Sequence, residues 1–109
     1  MEQTAFQIHV QDNVATALNA LKAGDVRLLG DTNTKRISAM EEIPSGHKIA
    51  LLGIARGEKI IKYGVPIGCA TRNIPAGAWV HLHNMRSLYD ERSSHLDVTT
   101  GAPKDTVYE

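Results

Sequence analysis

The sequence predicts a mostly β protein of one domain, with one short helix. Short apolar segments separated by turn residues recur along most of its 109 residues. Residues 5–10, AFQIHV, alternate apolar and polar side chains as a half-buried strand does. Only 5% of the residues are aromatic although 42% are hydrophobic, so aliphatic side chains must fill the core. A chain of this length has room for one modest core.

The predicted helix follows the first strand directly. It lies in DNVATALNALKAG, residues 12–24, where Asp12 or Asn13 would cap its amino end and Gly24 would close it in a left-handed conformation. Capping explains these two polar residues better than catalysis does. The apolar face of the helix would consist of Val14, Ala17, Leu18 and Leu21.

Six further strands are predicted after residue 25, each bounded by turn residues. Proline cannot donate to a central ladder, so Pro66 and Pro75 must lie at turns or at strand starts. The strands are VRLLG (26–30), TKRISA (34–39), KIALL (48–52), EKIIKYG (58–64), IGCAT (67–71) and AWVHLH (78–83).

Four segments share one pattern, in which a glycine follows an apolar residue by three positions and precedes a strand-like run. Glycine adopts positive φ at little cost, so each segment should form a turn that leads into a strand. The irregular spacing of the segments argues for a compact β domain rather than a solenoid. The segments are LKAGDVRLL, IPSGHKIAL, IARGEKIIK and IPAGAWVHL.

Composition narrows the range of partners. Twelve Lys and Arg balance twelve Asp and Glu, so no overall field favours nucleic acid or an anionic membrane. The single Cys69 cannot form an internal disulfide, and no apolar run reaches the roughly 20 residues of a membrane span. We therefore expect a cytoplasmic protein. Unpaired strand edges would permit a homodimer.

The composition becomes polar near residue 85. The expected organisation is a domain over residues 1–86, followed by a polar tail or linker over residues 87–109. The sequence leaves open whether that segment is free or docks as an arm.

Two histidines stand one residue apart in the last predicted strand. Alternation along that strand would direct Trp79, His81 and His83 to one side, and Val80 and Leu82 to the core. A tryptophan on a polar face is wasteful unless another surface covers it, which indicates an interface. Ordinary solvent-facing histidines are the alternative, and two imidazoles alone are too few for a usual metal site.

Three other side chains are candidates for binding. His47 and Lys48 follow a glycine turn, where an ammonium group and turn amides could bind an anion or a carboxylate; two ordinary surface residues are the alternative. The hydroxyl of Tyr63 could donate a proton or merely tie down a turn.

Taken together, these motifs resemble one family. DNVATAL, followed by IPSGHKIALLGIARGEKIIKYGVPIGCATRNIPAGAWVHLHN, is similar to the N-terminal domain and small subunits of the altronate and galactarate dehydratase family, which includes sulfolactate sulfo-lyase. The similarity spans about residues 6–86. Its specificity comes from the order and spacing of GHK(I/V)AL, (I/V)KYGxxIG and VHxHN. The resemblance implies an SAF-type β-clip fold, a small, mostly antiparallel, folded-over sheet.

The resemblance also implies a lyase reaction. Family members eliminate water from a sugar acid, typically an aldonate such as D-altronate, to give a 2-keto-3-deoxy acid. A divalent metal, usually iron, is implicated and would be held mainly by a large catalytic subunit or domain, without which the isolated chain would be inactive. By the same resemblance, His81 and His83 would be catalytic and could contact that metal. The implied substrate-binding residues are His47, Lys48, Tyr63 and Asn84.

Three alternatives stay open. The chain could be a non-catalytic SAF-type module for carbohydrate binding or assembly, because fold alone does not decide function. It could be the small subunit of a sulfolactate-type sulfo-lyase, or an excised domain of a longer enzyme. The pair His81 and His83 favours the catalytic alternatives, because a module that only packs has no need of it.

Overall fold

The computed structural model describes residues 2–87, in which every regular element is a β strand. None of those residues forms a helix of the length and apolarity that a membrane crossing requires. The predicted tail or linker therefore lies outside the described residues, apart from Ser87. The strands are β1 (Thr4–Gln7), β2 (Val14–Ala17), β3 (Gly24–Gly30), β4 (Arg36–Ala39), β5 (Lys48–Ala50), β6 (Lys59–Lys62), β7 (Val65–Ala70), β8 (Trp79–Val80) and β9 (Met85–Ser87).

The strands form two sheets. One has the order β4-β3-β1-β2-β5-β8, and the other has the order β6-β7-β9. All neighbours pair antiparallel except β1 and β3, which are parallel. The predicted mostly β class is thus confirmed, and each of the seven predicted strands overlaps an observed one. β2 and β9 are strands that the sequence did not predict.

The predicted helix over residues 12–24 is wrong, because residues 14–17 form β2. Val14 packs in one apolar core, and Ala15 and Ala17 pack in the other, so this strand is covered on both faces. Apolar residues at adjacent positions are typical of such a strand. They also satisfied the helical spacing, although Leu18, assigned to the apolar face of the helix, is 50% exposed.

Aliphatic side chains fill both cores, as the low aromatic content predicts. Complete burial of an Ile or Leu side chain contributes about 1.5–3 kcal/mol. The first core comprises Ala5, Ala15, Ala17, Leu21, Val26, Leu28, Ala39, Ile43 and Ile49. The second comprises Val14, Ala50, Ile54, Ile60, Ala70, Ile74, Ala78, Val80 and Met85.

Three of the four repeated segments form the predicted turn before a strand. Gly46, Gly57 and Gly77 have φ values of 86°, 88° and 87°, and each lies third in a four-residue turn closed by a backbone hydrogen bond of 2.9–3.1 Å. This is the position at which a type II turn requires positive φ. Gly24 differs, since it begins β3 with a φ of 133°.

The apolar residues that begin the four segments pair with one another. Leu21 bridges Ile43, and Ile54 bridges Ile74, each pair through two reciprocal backbone hydrogen bonds. All four side chains are buried. The repeated sequence pattern therefore corresponds to two isolated antiparallel β-bridges, one in each core.

Asp12 and Asn13 hold the three-stranded sheet against β2. The buried Asp12 carboxylate accepts hydrogen bonds from the backbone N–H groups of Tyr63 and Gly64, at 3.2 and 2.8 Å. The Asn13 amide accepts from the N–H of Ile61 at 2.8 Å and donates to a carbonyl of β6 at 2.9 Å. Both side chains thus bind the β6–β7 hairpin, and neither caps a helix.

Candidate functional site

Asn84 shapes the turn that follows β8. Its side-chain oxygen accepts a hydrogen bond from the N–H of His81 at 2.9 Å, and its amide donates to the carbonyl of Trp79 at 2.8 Å. Its own N–H donates to the carbonyl of His81 at 3.0 Å. Because Asn84 is 95% buried, with 5% relative exposure, the two side-chain bonds form away from water. They hold the backbone of Trp79 and His81 in place.

This turn ends the strand earlier than the sequence predicts. β8 covers only Trp79 and Val80, so strict alternation does not extend through residues 81–83. The predicted burial of Leu82 is wrong, because the side chain is 61% exposed. Trp79, His81 and His83 nevertheless lie together, brought there by the turn rather than by a continuous strand.

The four rings of His47, Trp79, His81 and His83 form what we call the ring cluster. The His47 and His81 centroids are 4.3 Å apart. The indole of Trp79 lies parallel to His81, with an interplanar angle of 11° and a centroid distance of 6.1 Å, and it lies 4.8 Å from His83. His47 directly precedes β5, and the turn after β8 supplies the other imidazoles. Pairing of β5 with β8 brings these parts of the chain together.

Trp79 is the best-anchored member of the ring cluster. Its side chain packs against the first core, and its Nε1–H donates to Nδ1 of His47 at 3.1 Å. Its backbone N–H donates to the carboxylate of Glu41 at 3.0 Å. Sequence reasoning did not single out Glu41, and no motif marks it. The contact depends on the path that the chain takes between β4 and β5.

The surroundings of His81 disfavour its charged form. Burial lowers the pKa of His81 below its usual value, and the positive charges of His47, Lys48 and His83 lower that pKa further. At neutral pH the imidazole of His81 is therefore uncharged and can accept a proton.

Lys48 leaves the sheet on the face opposite Trp79. Lys48 is paired with Thr16 and Val80, whereas Ile49 is paired with Trp79, and consecutive residues of a strand point to opposite faces. Lys48 is only 8% exposed, which excludes an ordinary surface lysine. Its charge still acts on His81.

Tyr63 lies apart from the ring cluster, in the turn between β6 and β7 of the second sheet. It has a φ of 61° and is 58% exposed, and the Nζ of Lys62 lies 5.0 Å from its ring centroid. Asp12 holds this turn through backbone N–H groups. Among residues 2–87, no group forms a hydrogen bond with the Tyr63 hydroxyl. The structure thus brings His47, His81 and His83 together and leaves Tyr63 outside.

The described residues do not complete a metal site. Residues 2–87 contain no group of three or more His, Cys, Asp or Glu side chains placed to hold a metal ion. Side chains of this chain in that range could therefore supply only part of a coordination sphere.

Comparisons with known proteins agree with the fold. The family model for the altronate/galactarate dehydratase SAF domain matches residues 3–88. The chain is 46% identical over 83 residues to altronate dehydratase of Escherichia coli K12, and 44% identical over 81 residues to galactarate dehydratase (L-threo-forming) of the same organism. These alignments cover 75% and 71% of this chain but only 16% and 14% of the relatives.

A third relative is much shorter. The alpha subunit of (2R)-sulfolactate sulfo-lyase from Chromohalobacter salexigens is 30% identical over 87 residues, and the alignment covers 75% of this chain and 93% of that subunit. A domain of this kind is therefore a separate subunit in one relative and a small part of the total length in others. With the family match spanning residues 3–88 and with these identities, the chain belongs to the SAF-domain family of altronate and galactarate dehydratases.

Proposed function

We propose that this chain is the SAF component of a sugar-acid hydro-lyase. It would help to eliminate water from an aldonate such as D-altronate, giving a 2-keto-3-deoxy acid. Identities of 46% and 44% to two sugar-acid dehydratases support the reaction class. The observation that carries the proposal is the ring cluster, in which three imidazoles surround one indole. A domain that only packs has no use for this arrangement.

The reaction requires both a base and an acid. A proton must leave the carbon beside the carboxylate, and the departing hydroxyl needs a proton or another electrophile. We assign the base to His81, because its lowered pKa favours the neutral imidazole. His83 is exposed and lies at the indole of Trp79, where it could donate to the leaving hydroxyl.

Binding of the carboxylate would use the groups around this pair. Lys48 supplies positive charge close enough to act on His81, and His47 lies in contact with the His81 ring. We propose that Asn84 contributes by holding the turn, since both ends of its side chain bind backbone groups. Tyr63 would contribute only if the substrate or partner reaches the β6–β7 turn.

A divalent metal, which we propose to be iron, would lie mainly on the large part of the enzyme. Residues 2–87 hold no set of three potential ligands, so we derive no step of the reaction from a metal on this chain. The large part would be a catalytic subunit or domain. The small fraction of the dehydratases that this chain aligns with supports that division.

A second candidate function is that of a sulfo-lyase small subunit. The observation that favours it is length, because the chain aligns with 93% of the Chromohalobacter subunit. The identity of 30% to that subunit is lower than the identity to the dehydratases. We therefore rank the sugar-acid reaction first.

Co-expression of the full chain with the large lyase subunit or domain tests both candidates. The purified complex would be assayed on D-altronate, galactarate and (2R)-sulfolactate. We expect the aldonate to be turned over, and we expect His81→Gln to lower kcat by about 10²–10⁴-fold, as loss of a general base does. His9→Gln is the matched control, because His9 lies outside the ring cluster.

Three results would count against the proposal. Turnover of sulfolactate alone would favour the second candidate. Unchanged turnover by a complex that carries His81→Gln and His83→Gln would mean that the ring cluster is not catalytic. Failure of the chain to bind the large subunit would remove the proposed partner.

A further inference from the structure

The hydrogen bond from Trp79 decides which nitrogen of His47 carries a proton. The indole Nε1–H lies 3.1 Å from Nδ1 of His47. An indole nitrogen can only donate, so Nδ1 must be the acceptor and bears no hydrogen. In neutral His47 the hydrogen therefore resides on Nε2.

The indole is held firmly enough to impose this choice. Its ring packs against the first core, and its backbone is bound from both sides, by the carboxylate of Glu41 and by the amide of Asn84. His47 for its part is the last residue of a closed turn, in which its N–H donates to the carbonyl of Pro44 at 3.1 Å. Donor and acceptor are thus positioned before any ligand arrives, which lowers the cost of ordering them on binding.

We propose that Trp79 is a positioning residue that keeps His47 as a hydrogen-bond donor, with its Nε2–H available to an oxygen atom of the bound sugar acid. Among residues 2–87, Nε2 of His47 forms no hydrogen bond, so the donor is not already used by that part of the chain. This separates the roles of two imidazoles in contact, since His47 donates and His81 accepts. The identity of the acceptor rests on the proposed function; the position of the proton on His47 does not.

Nitrogen NMR of the full chain, labelled at histidine, tests the position of the proton directly. At neutral pH we expect the Nδ1 shift of His47 to be that of a non-protonated ring nitrogen, and the Nε2 shift to be that of a protonated one. Trp79→Phe removes the donor, so both shifts should move toward the average of two exchanging tautomers. His9 is an internal control, because its Nδ1 accepts from the N–H of Gln11 at 3.1 Å without help from Trp79.

A protonated Nδ1 on His47 of the unchanged chain would overturn the inference, whatever reaction the lyase performs. So would unchanged His47 shifts in Trp79→Phe. Because the first measurement needs no substitution, it decides the matter even if the variant does not fold.

Kinetics of the assembled lyase test the donor role. The side-chain amide of Gln can replace the Nε2–H of histidine, whereas the shorter Asn side chain carries its amide nearer to the Nδ1 position. We expect His47→Asn to raise KM about tenfold or more and His47→Gln to raise KM by a smaller factor, because only the Gln amide can take the place of the Nε2–H; the change in kcat should be small in both. Equal loss of kcat in both variants would contradict a donor role. If the shifts are as expected but no aldonate is turned over, the proposed function fails while the proton stays assigned to Nε2.

Discussion

At the scale of single residues, the site depends on one side chain whose two hydrogen bonds within residues 2–87 are both to backbone groups. Asn84 accepts from the N–H of His81 and donates to the carbonyl of Trp79. It is buried, so water could not easily replace either bond. The positions of two members of the ring cluster thus depend on an amide that need not touch the substrate.

Asn84→Ala should lower the free energy of unfolding by about 2–3 kcal/mol, because it leaves one backbone donor and one backbone acceptor without their partner. Urea denaturation of the full chain measures this change. Asn73→Ala is the matched control, since Asn73 is exposed and, within residues 2–87, its side chain accepts one bond, from the N–H of Arg56. If both variants lost the same free energy of unfolding, the expectation that burial makes the Asn84 bonds more costly to remove would be contradicted.

His81 should make stability depend on pH. Burial, and then the charges of His47, Lys48 and His83, lower its pKa in the folded chain, whereas the unfolded value is about 6.5. Between these two values the unfolded chain binds more protons, so the free energy of unfolding falls as the pH decreases below about 6.5.

Proton NMR titration of His81 and urea denaturation across this pH range measure the effect. His81→Gln should remove this component of the pH dependence. His83→Gln should bring the pKa of His81 closer to its usual value, because it removes one positive neighbour. A His81 pKa at or above 6.5 would contradict the expectation.

At the scale of elements, three glycine turns share one conformation but have different surroundings. Gly57 and Gly77 have φ values of 88° and 87°. A Cβ added at Gly57 would meet no atom within 4 Å, whereas one at Gly77 would overlap the carbonyl oxygen of Ser38. Gly77 therefore serves both the turn and the close approach of β4 to β8.

Gly57→Ala should cost about 1–2 kcal/mol, the penalty of a left-handed conformation for alanine. Gly77→Ala should cost about 1–3 kcal/mol more, because the added carbon displaces packed backbone. Thermal and urea denaturation of the two variants give the difference. Equal losses of unfolding free energy in the two variants would mean that the Ser38 backbone can move away from the added carbon at no energetic cost.

At the scale of the whole molecule, the two sheets are joined through β2. Its side chains enter both cores, and the neighbouring Asp12 and Asn13 bind the β6–β7 hairpin. We therefore expect the described part of the chain to unfold as one cooperative unit, with neither sheet opening separately.

Asp12→Ala tests this coupling. Loss of a buried carboxylate that accepts three N–H groups, including that of His9, should reduce the free energy of unfolding by about 3 kcal/mol or more. Native-state hydrogen exchange should show the same reduction at the amides of Ala17 and Ala70, one in each sheet. Asp31→Ala is the control, because Asp31 is exposed and its carboxylate accepts one bond from the described part of the chain, from the N–H of Val10. Loss of protection at Ala70 alone would show that the sheets are independent.

The sequence predicted correctly what depends on near neighbours. The glycines of three repeated segments predicted turns that lead into strands, because positive φ is a local property of the backbone. The alternation in residues 5–10 located β1 (Thr4–Gln7) but not its buried face, because Phe6, Ile8 and Val10 are exposed whereas Gln7 is buried. The order and spacing of the motifs also predicted the family correctly. β2 was missed because a strand buried on both faces has apolar residues at helical spacings as well.

The ring cluster shows most clearly which features follow from the residue order and which follow from the folded structure. The order of residues is sufficient to establish that His47 comes after a glycine turn and that His81 and His83 stand one residue apart. The folded structure was needed to show that the three imidazoles meet at Trp79 and that Lys48 lies on the opposite face of the sheet from Trp79, since both depend on the register between β5 and β8. That register follows from burial shared by distant parts of the chain, which no local pattern specifies.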